Sequence, residues 1–196
     1  MRYSGDHKAK TRERVLRVAA RELRANGQAN VSVARVMARA GLTHGGFYAH
    51  FASKDDLVVH AIGTMFEDAR ARVSALAEDD PRQALRAYID FYLSPAHRDN
   101  RERGCPLPTL SGDVARGEPG ARERFGVGVK ALTDRLADRL GAMGSAAPES
   151  DASALLAQMV GAVALARAVA DPAQSDAILA DARANLIARF GLEDAQ

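Results

Sequence analysis

The sequence predicts an all-α protein of about nine helices. Long segments carry apolar residues at intervals of three and four, which is the period of a helix with one buried face. Glycine and proline interrupt these segments at few places, and no stretch has the apolar–polar alternation and the Val, Ile and Thr content of a strand. Each predicted helix therefore lies between two interruptions.

The first two helices are predicted from their ends. Apolar residues recur at helical spacing from about residue 8 to residue 26, and Gly27 follows as a C-cap. Ser32 is a suitable N-cap for a second, short helix that ends near Ala40. A long helix followed by a short one is thus expected at the N-terminus.

A tight turn and a third short helix follow. Gly41 permits a turn at positive φ, and Thr43 is the expected cap of a helix covering roughly residues 44–50. Phe47 and Phe51 are expected to face inward and hold this helix on the first two. Two short helices joined by such a turn, behind a longer helix, form the unit that presents its last helix to the major groove of DNA.

The remainder is predicted to form a larger helical domain, with residues 1–54 as the first domain and 55–196 as the second. The capping box Ser53-Lys54-Asp55-Asp56 opens a fourth helix that reaches about Ala77, and Asp80-Pro81 opens the next. Residues 94–108 are broken by prolines and glycine. The other helices are predicted at about residues 110–116, 121–143, 148–170 and 176–190.

Residues 152–170 are nearly all apolar and long enough to cross a membrane. Many of them are alanine, and Arg167 would lie unpaired in lipid, so we expect a buried helix instead. The N-terminus has no apolar core of a signal peptide, and the chain has one cysteine. These features indicate a cytoplasmic protein without an internal disulfide.

The net charge of +2 is unevenly distributed. Residues 1–54 contain eleven Lys and Arg against three Asp and Glu, a net charge of +8, whereas the remainder carries −6. An arginine-rich composition alone would not separate the charges, and three of the four lysines also lie in this first segment. A polyanionic partner is therefore expected for the N-terminal domain.

Residues 36–57, VMARAGLTHGGFYAHFASKDDL, closely resemble the DNA-binding motif of the TetR family, and the resemblance extends over about residues 8–57. It implies an N-terminal tri-helical helix-turn-helix head fused to a helical domain that binds an effector and dimerises. It also implies a transcriptional regulator, most often a repressor that a small molecule releases from a palindromic operator on double-stranded DNA.

The resemblance also implies which residues contact DNA. Tyr48, His50 and Lys54 correspond to phosphate contacts, and Thr43 can both cap the helix and donate to a phosphate. His44 and Gly45 lie at the base-facing tip. His50 as a packed histidine and His44 as a solvated residue are the alternatives. Further contacts to the backbone, an adjacent minor groove or base edges are expected from Lys8, Lys10, Arg12 and Arg35.

Gly45-Gly46 departs from the family pattern, which often has one glycine followed by a small polar residue. Two glycines weaken a short helix by about 1 kcal/mol each relative to alanine. They also leave few side chains for base edges, so readout is expected to depend on His44, Arg35 and close approach of the backbone.

An effector pocket is predicted around Tyr88, Phe91 and Tyr92, which form an aromatic stripe at helical spacing. An ordinary core is the alternative interpretation. The residues that could complete the pocket are Phe66, Cys105, Phe125, Met143 and Met159.

Cys105 lies in a Gly-Cys-Pro step that resembles a subset of TetR regulators in which a cysteine senses electrophiles or oxidants. Arg101 and Arg103 would favour its reactive thiolate. A small buried residue at a helix start is the alternative, and it weighs more.

The last two helices are predicted to pair two chains, because one is apolar on nearly every side and carries many small residues. Burial within one chain is the alternative. No catalytic motif is found, and the five histidines have no i, i+4 pairing, so we predict no enzyme activity, no metal and no cofactor. A small-molecule-binding protein without DNA activity remains a competing hypothesis.

Overall fold

The computed structural model describes residues 2–75 and 80–193, and within them it contains nine α-helices, two short 3-10 helices and no strand. The prediction of an all-α fold is confirmed. The 3-10 helices span His44–Ala49 and Arg101–Arg103. The α-helices are α1 (Arg2–Asn26), α2 (Val33–Arg39), α3 (Lys54–Ala75), α4 (Pro81–Tyr92), α5 (Pro95–Asp99), α6 (Leu107–Ala115), α7 (Pro119–Ala142), α8 (Pro148–Ala168) and α9 (Pro172–Arg189).

The chain forms two compact units. The first contains the residues up to Glu67 together with Cys105–Gly128, and the second contains Asp68–Gly104 and the residues from Val129 onward. The helix α6 and the start of α7 therefore belong with the N-terminal helices. The predicted boundary between residues 54 and 55 falls inside the first unit and stays a prediction.

Most predicted helix ends are confirmed by hydrogen bonds. Ser32 Oγ accepts from the Arg35 amide at 3.1 Å, and Asp80 Oδ1 accepts from the Arg82 amide at 2.8 Å. Ser53 Oγ accepts from the Asp56 amide at 3.1 Å, which begins α3 where the capping box predicts. These local side-chain acceptors satisfy helix amides that have no partner inside the helix.

Three local predictions are wrong. Thr43 makes no side-chain capping bond to the helix that it precedes. A short helix, α5, occupies the segment predicted to be broken, because Ser94 Oγ accepts from the His97 amide and Pro95 occupies the first turn. Asp171 caps the start of α9, so that this helix begins at Pro172 rather than near residue 176. The predicted end of the fourth helix at Ala77 lies outside the described residues.

The core of the first unit is built around the apolar face of α1. Val15, Ala19 and Leu23 of α1 are fully buried, and α2 contributes Val36 and Met37. This apolar face confirms the periodicity that predicted the helix, and it supports the short segment that follows α2.

In the second unit, α8 packs along α9. By length and composition, α8 is the one helix among the described residues that could cross a membrane. Its Leu155, Met159 and Val163 are nevertheless buried against the rest of the chain. Because this apolar face is already covered by protein, α8 matches the predicted buried helix.

Candidate nucleic-acid interface

The 3-10 helix His44–Ala49 packs against the core of the first unit through Phe47 and exposes the following aromatic residue, Tyr48, to solvent. Phe47 is 1% exposed, and its ring stacks on Phe51 at a centroid distance of 5.6 Å. The adjacent Tyr48 is 71% exposed. The predicted inward direction of Phe47 and Phe51 is confirmed, and Tyr48 lies outside the core.

Two adjacent glycines, Gly45 and Gly46, leave the backbone at the start of this helix without side chains. The Gly46 amide donates to Thr43 O at 3.1 Å and the His50 amide to Phe47 O at 2.9 Å, which are the i to i+3 bonds of a 3-10 helix. A Cβ atom at Gly45 would meet nothing within 4 Å, so packing does not require glycine there. The two glycines instead weaken α-helical geometry and leave the backbone open to close approach.

His50 lies at the C-terminal end of this helix and is half-buried. Its Nδ1 atom is buried and has no hydrogen-bond partner among the described residues. Burial lowers the pKa of His50, and the positive charges of Lys8 and Arg12 lower it further. His50 therefore lies in a positive field with one polar atom unpaired.

The basic residues of α1 have different surroundings. Lys8 and Lys10 are exposed, and the Lys10 ammonium pairs with Asp6 at 2.9 Å. Arg12 lies over the Phe51 ring, with its Cζ atom 4.9 Å from the ring centroid. Lys10 is thus engaged in an ion pair, whereas Arg12 packs against the Phe51 ring.

Arg35 is held within the first unit by an acid that the sequence analysis did not identify. Glu22 of α1 is only 2% exposed and pairs with Arg35 at 2.7 Å and with Arg39. The Arg35 guanidinium also donates to Asn30 O at 2.6 Å. The sequence contained one sign of this ion pair, because Glu22 stands among the apolar positions of an amphipathic helix. A carboxylate buried at such a position requires a cationic partner. A base contact by Arg35 stays a prediction.

The remaining predicted contacts lie near the same surface. Thr43 and His44 are exposed, and Lys54 is half-buried at the start of α3. The structure thus places Thr43, His44, Gly45 and Tyr48 around one short exposed helix, whereas Arg35 faces Glu22. Their contacts to DNA remain predictions.

The predicted effector-binding residues fall in both compact units. In the first, Phe66 and Phe125 form an edge-to-face pair at 5.4 Å. Phe66 also lies so close to Gly128 that a Cβ atom there would be 2.2 Å from the ring. Cys105 belongs to this unit and is 8% exposed, which agrees with the small buried residue considered as the alternative.

In the second unit, two residues of the predicted aromatic stripe, Phe91 and Tyr92, contact the ring of His97. Tyr88 and Tyr92 pack edge to face at 5.8 Å, and Tyr92 contacts the His97 ring at 4.7 Å. His97 Nδ1 bonds to Tyr92 O at 2.7 Å. Burial lowers the pKa of His97 to about 4, although the bond to Tyr92 opposes the shift. Phe91 is 38% exposed, so the stripe is partly core and partly surface.

Two further predicted pocket residues, Met143 and Met159, also lie in the second unit. Met159 is fully buried and Met143 is half-buried. A cavity that combines residues of both units stays a prediction. Among the described residues, no group of three or more His, Cys, Asp or Glu side chains is arranged to hold a metal ion.

Comparison with known proteins identifies relatives of the first unit. Residues 15–61 match the model of the bacterial regulatory proteins of the tetR family. The HTH-type transcriptional regulator BetI of Stenotrophomonas maltophilia (strain R551-3) is 35% identical over 82 residues, which cover 40% of this chain and 42% of BetI. The chain thus aligns with less than half the length of this curated relative.

The similarity of fold extends much further. A TetR transcriptional regulator from Chloroflexus aurantiacus J-10-fl has a TM-score of 0.80 and 25% identity, covering 95% of this chain and 96% of that protein. The reduced form of Escherichia coli NemR has a TM-score of 0.79 and 22% identity, covering 90% of this chain and 95% of NemR. The chain therefore carries a segment, residues 15–61, that matches the tetR-family regulators, and it shares the all-α fold of TetR-type regulators of known structure.

Proposed function

We propose that this protein is a homodimeric repressor that binds a palindromic operator and is released from it by a small-molecule effector. The observation that carries the proposal is the 3-10 helix His44–Ala49, which buries Phe47 and exposes Tyr48 at 71%. A short helix fixed from behind and polar at its front can lie against the base edges of a major groove.

Charge supports duplex DNA as the partner. Residues 1–54 carry a net charge of +8, and Lys8 lies near enough to lower the pKa of His50. Phosphates on the DNA backbone would be attracted to this region, and contacts from Tyr48, His50 and Lys54 would set the orientation of the helix on the duplex.

Dimerisation is proposed through α8 and α9. Leu165 of α8 is 59% exposed, and the neighbouring Val160, Gly161 and Ala164 are only partly covered. Small residues let a partner helix approach closely, while the exposed leucine supplies apolar area to bury. Two heads carried by such a dimer would read half-sites about 34–36 Å apart.

Effector release follows from linkage. A ligand that binds better to a conformation with unsuitably spaced heads must lower operator affinity by its difference in binding free energy between the two conformations. The aromatic residues Tyr88, Phe91 and Tyr92 are the proposed contacts for such a ligand in the second unit, and Phe66 and Phe125 are the proposed contacts in the first.

Sensing through Cys105 is a more specific form of this proposal. A thiol that is 8% exposed reacts only after a local opening, so modification by an alkylating agent is expected to be slow. Treatment with N-ethylmaleimide should lower operator affinity of the wild type and leave the variant Cys105→Ser unaffected. Complete alkylation of Cys105 without any loss of DNA binding would exclude this sensor.

The main proposal is tested by footprinting the purified protein on DNA flanking its own gene, followed by fluorescence anisotropy at several salt concentrations. We expect a protected palindrome and a steep decrease in affinity with salt. His44→Ala and Tyr48→Phe should weaken binding while the protein stays folded. If no duplex is bound at low salt and the protein stays monomeric, the DNA-binding proposal is wrong.

Two lysines provide a matched pair for the salt measurement. Lys54→Gln should lower the slope of log affinity against log salt by about 1 for each head, because one phosphate contact is lost. Lys130→Gln is the control, since Lys130 is exposed on α7 and pairs with Asp134 at 2.7 Å. Equal slopes for the two variants would remove Lys54 from the interface.

A further inference from the structure

The C-terminal end of α1 is completed by a side chain from a distant part of the chain. Gly27 adopts φ +74°, and its amide closes the helix by donating to Leu23 O at 2.9 Å. The next amide, that of Gln28, donates to Asp113 Oδ2 of α6 at 2.7 Å. The last turn of α1 is therefore tied to α6 by a charge-assisted hydrogen bond.

The fit at this contact is close. A Cβ atom at Gly27 would lie 2.7 Å from Asp113 Oδ2, so any side chain there would displace the carboxylate as well as strain the backbone. The Asp113 side chain is 27% exposed, and Arg116 lies 3.6 Å from its other oxygen. A carboxylate near a helix C-terminus is repelled by the helix dipole, and the Gln28 amide and the Arg116 guanidinium oppose that repulsion.

Asp113 is fixed on α6 by apolar packing on both sides. Leu110 is 1% and Val114 is 3% exposed, so the backbone of α6 is held in place on both sides of Asp113.

We propose that Asp113 is a positioning residue that holds α1 in the orientation required for operator binding, through its hydrogen bond with the Gln28 amide. This inference rests on the proposed DNA-binding function. The helix α1 carries Lys8 and Arg12 beside His50, so a loosened C-terminal end changes the placement of these cations against the 3-10 helix. Asp113 itself does not contact DNA in this account.

The test compares Asp113→Ala, Asp113→Asn and Gly27→Ala with the wild type on the operator found by footprinting. Operator affinity should fall about threefold to tenfold for Asp113→Ala, which is less than the full contribution of a hydrogen bond to a charged group, because the lost bond acts on DNA binding only through the orientation of α1. The operator affinity of Asp113→Asn should fall less, because the side-chain amide oxygen of asparagine can still accept a hydrogen bond from the Gln28 amide. Gly27→Ala should also weaken operator binding, because its Cβ atom would displace the Asp113 carboxylate from the Gln28 amide.

Hydrogen exchange provides the second readout. The Gln28 amide should exchange faster in Asp113→Ala than in the wild type, in parallel with the loss of affinity. Asp134→Ala is the matched control, since Asp134 is an exposed carboxylate on α7 that pairs with Lys130. It should change neither the Gln28 exchange rate nor operator affinity.

The outcomes separate this inference from the proposed function. If Asp113→Ala lowers the melting temperature but binds the operator with wild-type affinity, the residue is structural only and the inference is wrong. If Gln28 exchange is unchanged in Asp113→Ala, the hydrogen bond does not hold α1 and the inference is also wrong. If the wild type itself binds no duplex, the proposed function fails first.

Discussion

His50 in the first unit and His97 in the second both have lowered pKa values, and burial is the largest cause for each. Their surroundings otherwise differ. His97 bonds through Nδ1 to Tyr92 O at 2.7 Å and lies among aromatic rings, so its polar group is satisfied by the chain itself. His50 has a buried Nδ1 atom without a partner among the described residues.

This difference separates a stabilising histidine from one that suits binding. A buried polar group with an internal partner stabilises the fold, whereas one without a partner carries a desolvation penalty. The positive field of Lys8 and Arg12 around His50 suits an anionic ligand, consistent with the proposed phosphate contact. Substitutions in the two regions can test this contrast between an exposed binding surface and a core whose polar groups are paired within the chain.

The largest expected effect comes from two adjacent aromatic residues. Phe47→Ala should lower the free energy of unfolding by about 3–5 kcal/mol, because it opens a cavity under the 3-10 helix. Tyr48→Ala should change it by less than about 0.5 kcal/mol, since Tyr48 is 71% exposed, yet it should weaken DNA binding. Urea denaturation measures both variants. If both variants lost the same stability, Phe47 would not be the residue that packs the 3-10 helix against the core, with Tyr48 facing outward.

The next effect concerns His97 and the pH dependence of stability. Its pKa is about 4 in the folded chain and ordinarily 6.5, so the unfolded chain binds more protons between these values. The free energy of unfolding should therefore fall as the pH falls from 6.5 to 4, with a contribution of up to about 1.4 kcal/mol per pH unit. Thermal or urea unfolding across this range measures the slope.

His97→Asn supplies the comparison, because asparagine can hydrogen-bond to Tyr92 O and does not titrate. The variant should lose part of the pH slope that the wild type shows, whereas substitution of the exposed His7 by asparagine should keep it. Identical slopes in the wild type and His97→Asn would show that His97 does not remain neutral in the folded protein.

A smaller effect is expected for His50 on DNA binding. The pKa of His50 is lowered in the unbound chain, and a neighbouring phosphate would raise it by favouring the charged ring. The complex then binds more protons than the separate molecules, so operator affinity should increase as the pH falls, by less than about tenfold per pH unit. Anisotropy titrations of the wild type and His50→Gln measure this. A pH dependence that survives in His50→Gln must come from another group.

The smallest effect distinguishes two hydroxyl residues at helix starts. Ser32→Ala should destabilise the protein by about 1 kcal/mol, because Ser32 Oγ accepts from the Arg35 amide at 3.1 Å. Thr43→Ala should have little effect on stability, since Thr43 makes no such bond. Differential scanning calorimetry of both variants is the measurement. A loss for Thr43→Ala as large as that for Ser32→Ala would indicate that Thr43 caps the helix after all.

Local features of the fold were largely predictable. Ser32, Ser53 and Asp80 cap helices where the sequence indicated, because an N-cap bond joins residues only two or three positions apart. Gly41 has φ +69°, as the predicted turn requires. Thr43 was predicted wrongly for a related reason: the following helix has 3-10 geometry, in which its hydroxyl makes no capping bond.

The candidate site was predictable in part. Phe47 and Phe51, four positions apart, were predicted to share the inward face of the short helix. Tyr48 was thereby left on the outer face, where the structure has it. The surroundings of Arg35 were predictable only in part: the buried position of Glu22 indicated a cationic partner, but the sequence did not indicate which arginine of another helix supplies it. Pairings of this kind depend on how two helices cross, which periodicity does not specify.

The helical class, most helix starts, the two glycine turns and the concentration of positive charge near the N-terminus can be read from the residues alone, because each depends on neighbouring residues or on composition. The binding of two arginines by Glu22 and the contact of Asp113 with the end of α1 were visible only once the helices were packed. The Asp113 contact joins residues 85 positions apart. Its geometry follows from the packing of whole helices, and no local pattern of residues specifies that packing.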